Sequence, residues 1–98
     1  MEQIDISELR KLDKLLTDAG IRHTWINTPE LGGAEIKIPN IDAFRAKRGV
    51  SVIQFRGSWG GDAGKLECWI NTRKRQDNGP VGWLTAEETF AMIREALP

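Results

Sequence analysis

Apolar positions along the chain follow two different periods, and the changes of period mark the elements. Leu9, Leu12, Leu16 and Ala19 recur at helical spacing and Leu15 widens the stripe, which predicts an amphipathic helix over about residues 6 to 19. Asp5 and Glu8 have the spacing of a capping box at its start, with Ile4 placed to staple onto Leu9. Gly20 supplies the stop, because glycine takes the left-handed conformation without strain. From Ile21 to Asn27 the period becomes two, with Ile21, His23 and Trp25 on one face and Arg22, Thr24 and Ile26 on the other.

After the turn-forming segment from Thr28 to Gly33, Ala34, Ile36 and Ile38 alternate with Glu35 and Lys37, as in a half-buried strand. Residues 41 to 48 are compatible with a short helical turn or a loop. Val50 to Arg56, rich in β-branched and aromatic residues, predicts a third strand. Lys65 to Ile70 predicts a fourth, with Leu66, Cys68 and Ile70 on one face and Lys65, Glu67 and Trp69 on the other. Residues 71 to 80 are polar and turn-rich. Thr85 and Glu88 form a second capping box, followed by a helix whose stripe is Phe90, Ile93 and Leu97. The order α-β-β-β-β-α implies an α+β two-layer sandwich: one domain over residues 1–98, a four-stranded antiparallel sheet, and both helices on one face. The other sheet face is then solvated unless a partner covers it. Such a face also leaves room for a homodimer.

Composition adds exclusions. A chain of 98 residues is one domain's length, and no apolar run approaches the roughly 18 residues of a membrane helix. One cysteine, Cys68, leaves no internal disulfide, and one histidine, His23, makes a zinc site improbable. The formal net charge is zero, yet it is unevenly placed: −2 over residues 1 to 20, −1 over 21 to 42, +6 over 43 to 75 and −3 over 76 to 98. A basic centre of this kind points to an anionic partner.

That basic centre contains the segment with most chemical promise. Gly57, Gly60, Gly61 and Gly64 surround Ser58 and Trp59, with Arg56 before and Lys65 after. Glycines let main-chain N–H groups converge on an anion, the flanking cations reinforce that, and a tryptophan stacks on a planar ring. The loop lacks the Gly-Lys-Ser/Thr and following helix of a phosphate-binding P-loop, so the competing view is a long hairpin loop with a tryptophan packed over it. The candidate ligand-binding set is Arg56, Gly57, Ser58, Trp59, Gly60 and Lys65. A second set, for a partner, is Trp69 with the basic run Arg73, Lys74 and Arg75, which Arg45, Lys47 and Arg48 would extend if the segments meet. Trp25 and Trp83 read as structural. His23 and Cys68 read as a hydrogen-bonded histidine and a core residue, without the third group that a nucleophilic dyad requires. No catalytic residue, cofactor or metal is called for.

Ser51-Val-Ile-Gln-Phe-Arg-Gly-Ser-Trp-Gly and Val81-Gly-Trp-Leu-Thr-Ala-Glu-Glu-Thr-Phe together resemble a family of small uncharacterised phage and prophage proteins of Gram-positive bacteria. That family has an "SVI…GSYG"-like segment and a "GYLTAEEVF"-like final helix. Trp59 and Trp83 stand where the family tends to have tyrosine, and the first 50 residues match in pattern only. The resemblance implies a cytoplasmic protein of the bacterial host, in a class whose small non-enzymatic members act as accessory or counter-defence factors. The expected function is a binding module for an anionic, nucleotide-like ligand. The alternative is an inhibitor or adaptor that meets a host protein through the exposed sheet face and basic patch. Direct nucleic-acid binding ranks behind both.

Overall fold

The computed structural model describes residues 3–72 and 79–97. Helix α1 (Ser7–Asp18) leads into strands β1 (Thr24–Thr28) and β2 (Gly33–Ile38), the short helix α2 (Ile41–Arg45), and strands β3 (Gly49–Gln54), β4 (Leu66–Asn71) and β5 (Val81–Leu84), and helix α3 (Ala86–Ala96) closes the order. The class is α+β, as the pattern implies, but the sheet has five strands, in the order β1-β2-β3-β4-β5, every neighbouring pair antiparallel. β5 escapes a reading by alternation because it is short and irregular. A bulge interrupts its pairing with β4 between Leu66 and Cys68, and Trp83 has a φ of 60°.

Register assigns the two faces. Trp25 pairs with Ile36, Ile36 with Val52 and Val52 with Cys68, so these side chains point to one side, where Leu9, Leu12, Leu16 and Ile93 of the helices complete the core. Cys68 is buried there. His23 lies before β1, with one ring nitrogen 2.7 Å from the Ile21 carbonyl and the other 2.6 Å from the Asp13 carboxylate. β2 and β3 separate the His23 edge from the strand of Cys68, about 14 Å at 4.8 Å per strand, so the two do not form a dyad.

The two long helices end as their sequences demand, with one exception. At the end of α1, Ile21 N–H donates to Leu16 O at 2.9 Å and Gly20 N–H to Thr17 O at 3.0 Å, with Gly20 at φ 71°, a Schellman motif. At the start of α3, Glu88 N–H donates to Thr85 Oγ1 at 3.1 Å and Thr85 N–H to Glu88 Oε1 at 2.8 Å, the expected capping box. The exception is the expected box at the start of α1. Ile6 occupies the N-cap, Asp5 accepts from the Ser7 amide and hydroxyl, and Glu8 Oε1 reaches across to accept from Ala86 N–H at 2.8 Å. Ile6 is buried, so burial sets the start of α1, and the freed Glu8 ties one helix to the first turn of the other. The buried stripe of α3 is Ala86, Thr89, Ile93 and Ala96, with Phe90 and Leu97 packed at its margin.

The second sheet face is not left to solvent throughout. α2 lies across it: the Phe44 ring meets the Trp69 ring edge-on at 5.6 Å, Lys37 Nζ stands 5.6 Å from the Phe44 ring, and Asn71 Nδ2 donates to Phe44 O at 2.8 Å. Beneath α2, Lys37 is buried and satisfied by Glu35 at 2.7 Å and by Ser51 Oγ at 2.5 Å. The expectation of a mostly solvated face therefore gives way to a face half roofed by α2.

Glu88 and Glu87 sit below the usual carboxylate range, Glu88 through its bond from the Thr85 amide and Glu87 through its own main-chain N–H and then Lys11. Their charged forms favour the folded chain at pH above about 4.5, and that contribution is lost as pH falls through the lowered values. The thermal midpoint should accordingly fall between pH 6 and pH 3 in calorimetry, and Glu88→Gln should weaken that dependence while lowering the midpoint at pH 6.

Candidate functional site

The glycine-rich segment between β3 and β4 is a compact, internally bonded turn. Ser58 is buried, and its hydroxyl donates to Phe55 O at 2.8 Å and accepts from Phe55 N–H at 3.1 Å. Gly61 and Ala63 N–H donate to Ser58 O and Gly60 O, each at 3.0 Å, and Lys65 N–H to Gly60 O at 2.9 Å. A short 3-10 turn, Gly61–Ala63, results. Beneath it, the wholly buried Gln54 gives its amide hydrogens to Asp5 O at 2.8 Å and Gly61 O at 3.2 Å, which clamps the turn to the segment leading into α1.

The amide that most invites an anion already has one. Trp59 N–H donates to Glu67 Oε1 at 2.7 Å. Trp59 O in turn accepts from Trp83 N–H at 3.1 Å, so both main-chain polar groups of Trp59 are held. Gly82 is a glycine for a steric reason: a Cβ there would lie 2.3 Å from Trp59 Cβ and 2.9 Å from Trp59 O. The Trp59 backbone thus rests on β5 and on Glu67, with its indole 57% exposed.

The structure separates the residues of the ligand-binding set. Trp59 joins the sheet face opposite the long helices, because Glu67 pairs with Ile53 and points there. Ser58 is inside the turn. Gly60 is buried and packs on Trp83 and Lys65, and Gly57 is exposed. Lys65 turns to the helix side, where with Lys11, Asp5, Glu8, Thr85 and Glu87 it lines a groove of about 390 Å³. Its charge there acts on Glu88. Arg56 is half-buried, its main-chain N–H donating to Leu31 O at 2.9 Å. Arg73, Lys74 and Arg75 lie outside the described residues.

What the structure does bring together is Trp59 and Trp69. Trp69 pairs with Ser51 on the same outward face, and is 40% exposed. Glu67 and Trp69 are two residues apart on β4, so the Glu67 anchor of Trp59 and the base of Trp69 are about 7 Å apart along the strand. α2, whose Phe44 meets Trp69, and the turn after it carry exposed Asp42, Arg45, Lys47 and Arg48, with Lys47 in the left-handed conformation at φ 60°. Trp83 is a further member that sequence reasoning placed among the structural residues. It is 65% exposed, because the bulge and positive φ of β5 turn it outward beside Trp59. Only its neighbour Gly82 hinted at an irregular strand. Trp25 is half-buried on the helix side, its Nε1 donating to Asn27 Oδ1 at 2.8 Å and the Arg10 guanidinium 5.6 Å from its ring, which agrees with a structural role.

No family model, curated protein or solved structure matches the chain. Among the described residues there is no group of three or more His, Cys, Asp or Glu placed to hold a metal ion, and no helix long and apolar enough to cross a membrane.

Two substitutions test this construction. Gln54→Leu leaves the Asp5 and Gly61 carbonyls without their donor but also removes the buried Oε1 that accepts no bond, so it should cost about 1 kcal/mol in urea unfolding. Gly82→Ala forces Trp59 off β5 and should cost about 1–3 kcal/mol by the same measurement, whereas an unchanged midpoint would mean that Trp59 does not rest there.

Proposed function

We propose that this protein is a small non-enzymatic binding module whose contact surface is the sheet face opposite α1 and α3. The observation that carries this is the pair of exposed tryptophans, Trp59 and Trp69, presented on that face from fixed positions. Exposed aromatic side chains cost little entropy to bury when their backbone is already held, and they dominate the energetics of contact surfaces. The glycine-rich turn serves as a mount for Trp59. Its hydroxyl and several of its amides are occupied from within, which supports a stacking surface more than a main-chain anion cradle.

Charge favours a partner with anionic character. Arg45, Lys47 and Arg48 are exposed on and just after α2, the helix whose Phe44 meets Trp69, and among the described residues no acidic side chain forms an ion pair with them. A nucleotide-like ligand and an acidic surface of a host protein both fit that description. The resemblance to phage and prophage proteins supports an accessory role, with counter-defence one such role, inside a bacterial host.

Capture from bacterial lysate on immobilised protein tests the surface. Recovery of bound material should fall at least tenfold in Trp69→Ala relative to wild type, with the folded state checked by circular dichroism. Equal recovery by wild type, Trp69→Ala and Trp59→Ala would overturn the assignment of this face.

A further inference from the structure

We infer that the open edge of β1 pairs with the same edge of a second copy of this chain, antiparallel about a two-fold axis at Ile26, so that two five-stranded sheets join into one. This surface is separate from the tryptophan face, and the inference does not rest on the function proposed for that face.

The sheet has two edges, and they differ. β5 is blunted: it has four residues, Pro80 precedes it, a bulge interrupts its pairing with β4, and Trp83 has a φ of 60°. β1 carries none of these devices. Its five residues, Thr24–Thr28, hold an unbroken register with β2 and include no proline and no charged side chain. Among the described residues no strand pairs with its outer edge. There, the main-chain N–H and C=O groups of alternate residues form a template for a further strand.

The residues of this edge favour its own copy as that strand. Thr24-Trp25-Ile26-Asn27-Thr28 has threonine at both ends and isoleucine at the centre. Antiparallel pairing about Ile26 sets Ile26 beside the partner's Ile26, Thr24 opposite the partner's Thr28, and Trp25 opposite the partner's Asn27. β-branched side chains then meet one another, and no like charges are opposed. The same symmetry carries Arg22, two residues before β1, toward the partner's Glu30, in the turn Pro29–Leu31 that follows the strand. Glu30 and the partner's Arg22 meet likewise, so opposite charges flank the ladder at both ends. Arg22 and Glu30 are exposed, and neither forms an ion pair with another described residue. A one-residue slip would place the helix layers on opposite faces of the joined sheet, and a two-residue slip would part the charges. The contact is five residues long, about 17 Å, which places it among small, reversible interfaces.

Sedimentation equilibrium of the full chain between about 1 μM and 1 mM tests this. A reversible monomer–dimer equilibrium should appear, with no larger species. Arg22→Glu and Glu30→Arg each oppose like charges twice per dimer and should each weaken it about tenfold, and the two changes combined should restore it. Ile26→Lys, which sets two cations side by side on the axis, should leave only monomer. Circular dichroism checks that each variant is folded, and if Ile26→Lys is not, the exposed Arg22 and Glu30 variants decide. Under mild oxidation Ile26→Cys should cross-link to its copy, because directly opposed residues lie about 4.5–5.5 Å apart, within disulfide reach. Thr24→Cys, about 14 Å along the strands from its own copy, should not, and the native Cys68 is buried. Monomer throughout the range, a dimer indifferent to Arg22→Glu and Ile26→Lys, no restoration in the double variant, or growth beyond the dimer would overturn the inference. Trp69→Ala should dimerise as wild type does, so loss of lysate capture and loss of dimerisation are separate results.

Discussion

The arrangement of the glycine-rich turn depends on one buried amide. Gln54 ends β3 wholly out of solvent, and its NH2 is divided between Asp5 O and Gly61 O, while its Oε1 accepts no hydrogen bond from the described residues. Those acceptors lie in the segment that enters α1 and in the turn that carries Trp59. A single side chain therefore couples the helix layer to the loop on the sheet's edge. The turn is rich in glycine yet well determined, because the N–H groups of Ser58, Gly61, Ala63, Gly64 and Lys65 and the Ser58 hydroxyl have partners within the segment from Phe55 to Lys65, and Trp59 N–H is held by Glu67.

A second regularity runs through the molecule. Its carboxylates repeatedly serve main-chain donors: Asp5 on Ser7 N–H, Glu8 on Ala86 N–H, Glu67 on Trp59 N–H and Glu88 on Thr85 N–H. Each is a charge-assisted bond at a helix start or a loop that must be held.

Elements governed by local chemistry were legible without coordinates. The stripe of Leu9, Leu12 and Leu16, the Gly20 stop, the Thr85 capping box and the outward position of Trp69 all follow from spacing alone. The candidate set around the loop was legible only as a neighbourhood. Alternation puts Lys65, Glu67 and Trp69 on one face, but Lys65 precedes β4 and turns to the helix side, so ladder geometry does not bind it. Ser58 looked like a ligand donor because a sequence cannot say that its hydroxyl closes the turn. Trp83 looked structural because a four-residue strand with a bulge has no period to read.

Sequence alone thus determined the class of fold, the two long helices, the four strands β1 to β4 as members of an antiparallel sheet and the unequal distribution of charge, since each depends on residues close together in the chain. Tertiary structure alone decided that Glu8 caps the far helix, that Gln54 clamps the turn, that α2 roofs part of the open face, and that Trp59 and Trp69 share it. Those outcomes depend on which distant groups meet when the sheet closes. A buried donor or acceptor takes the partner that the packing brings within reach, whatever its distance along the chain.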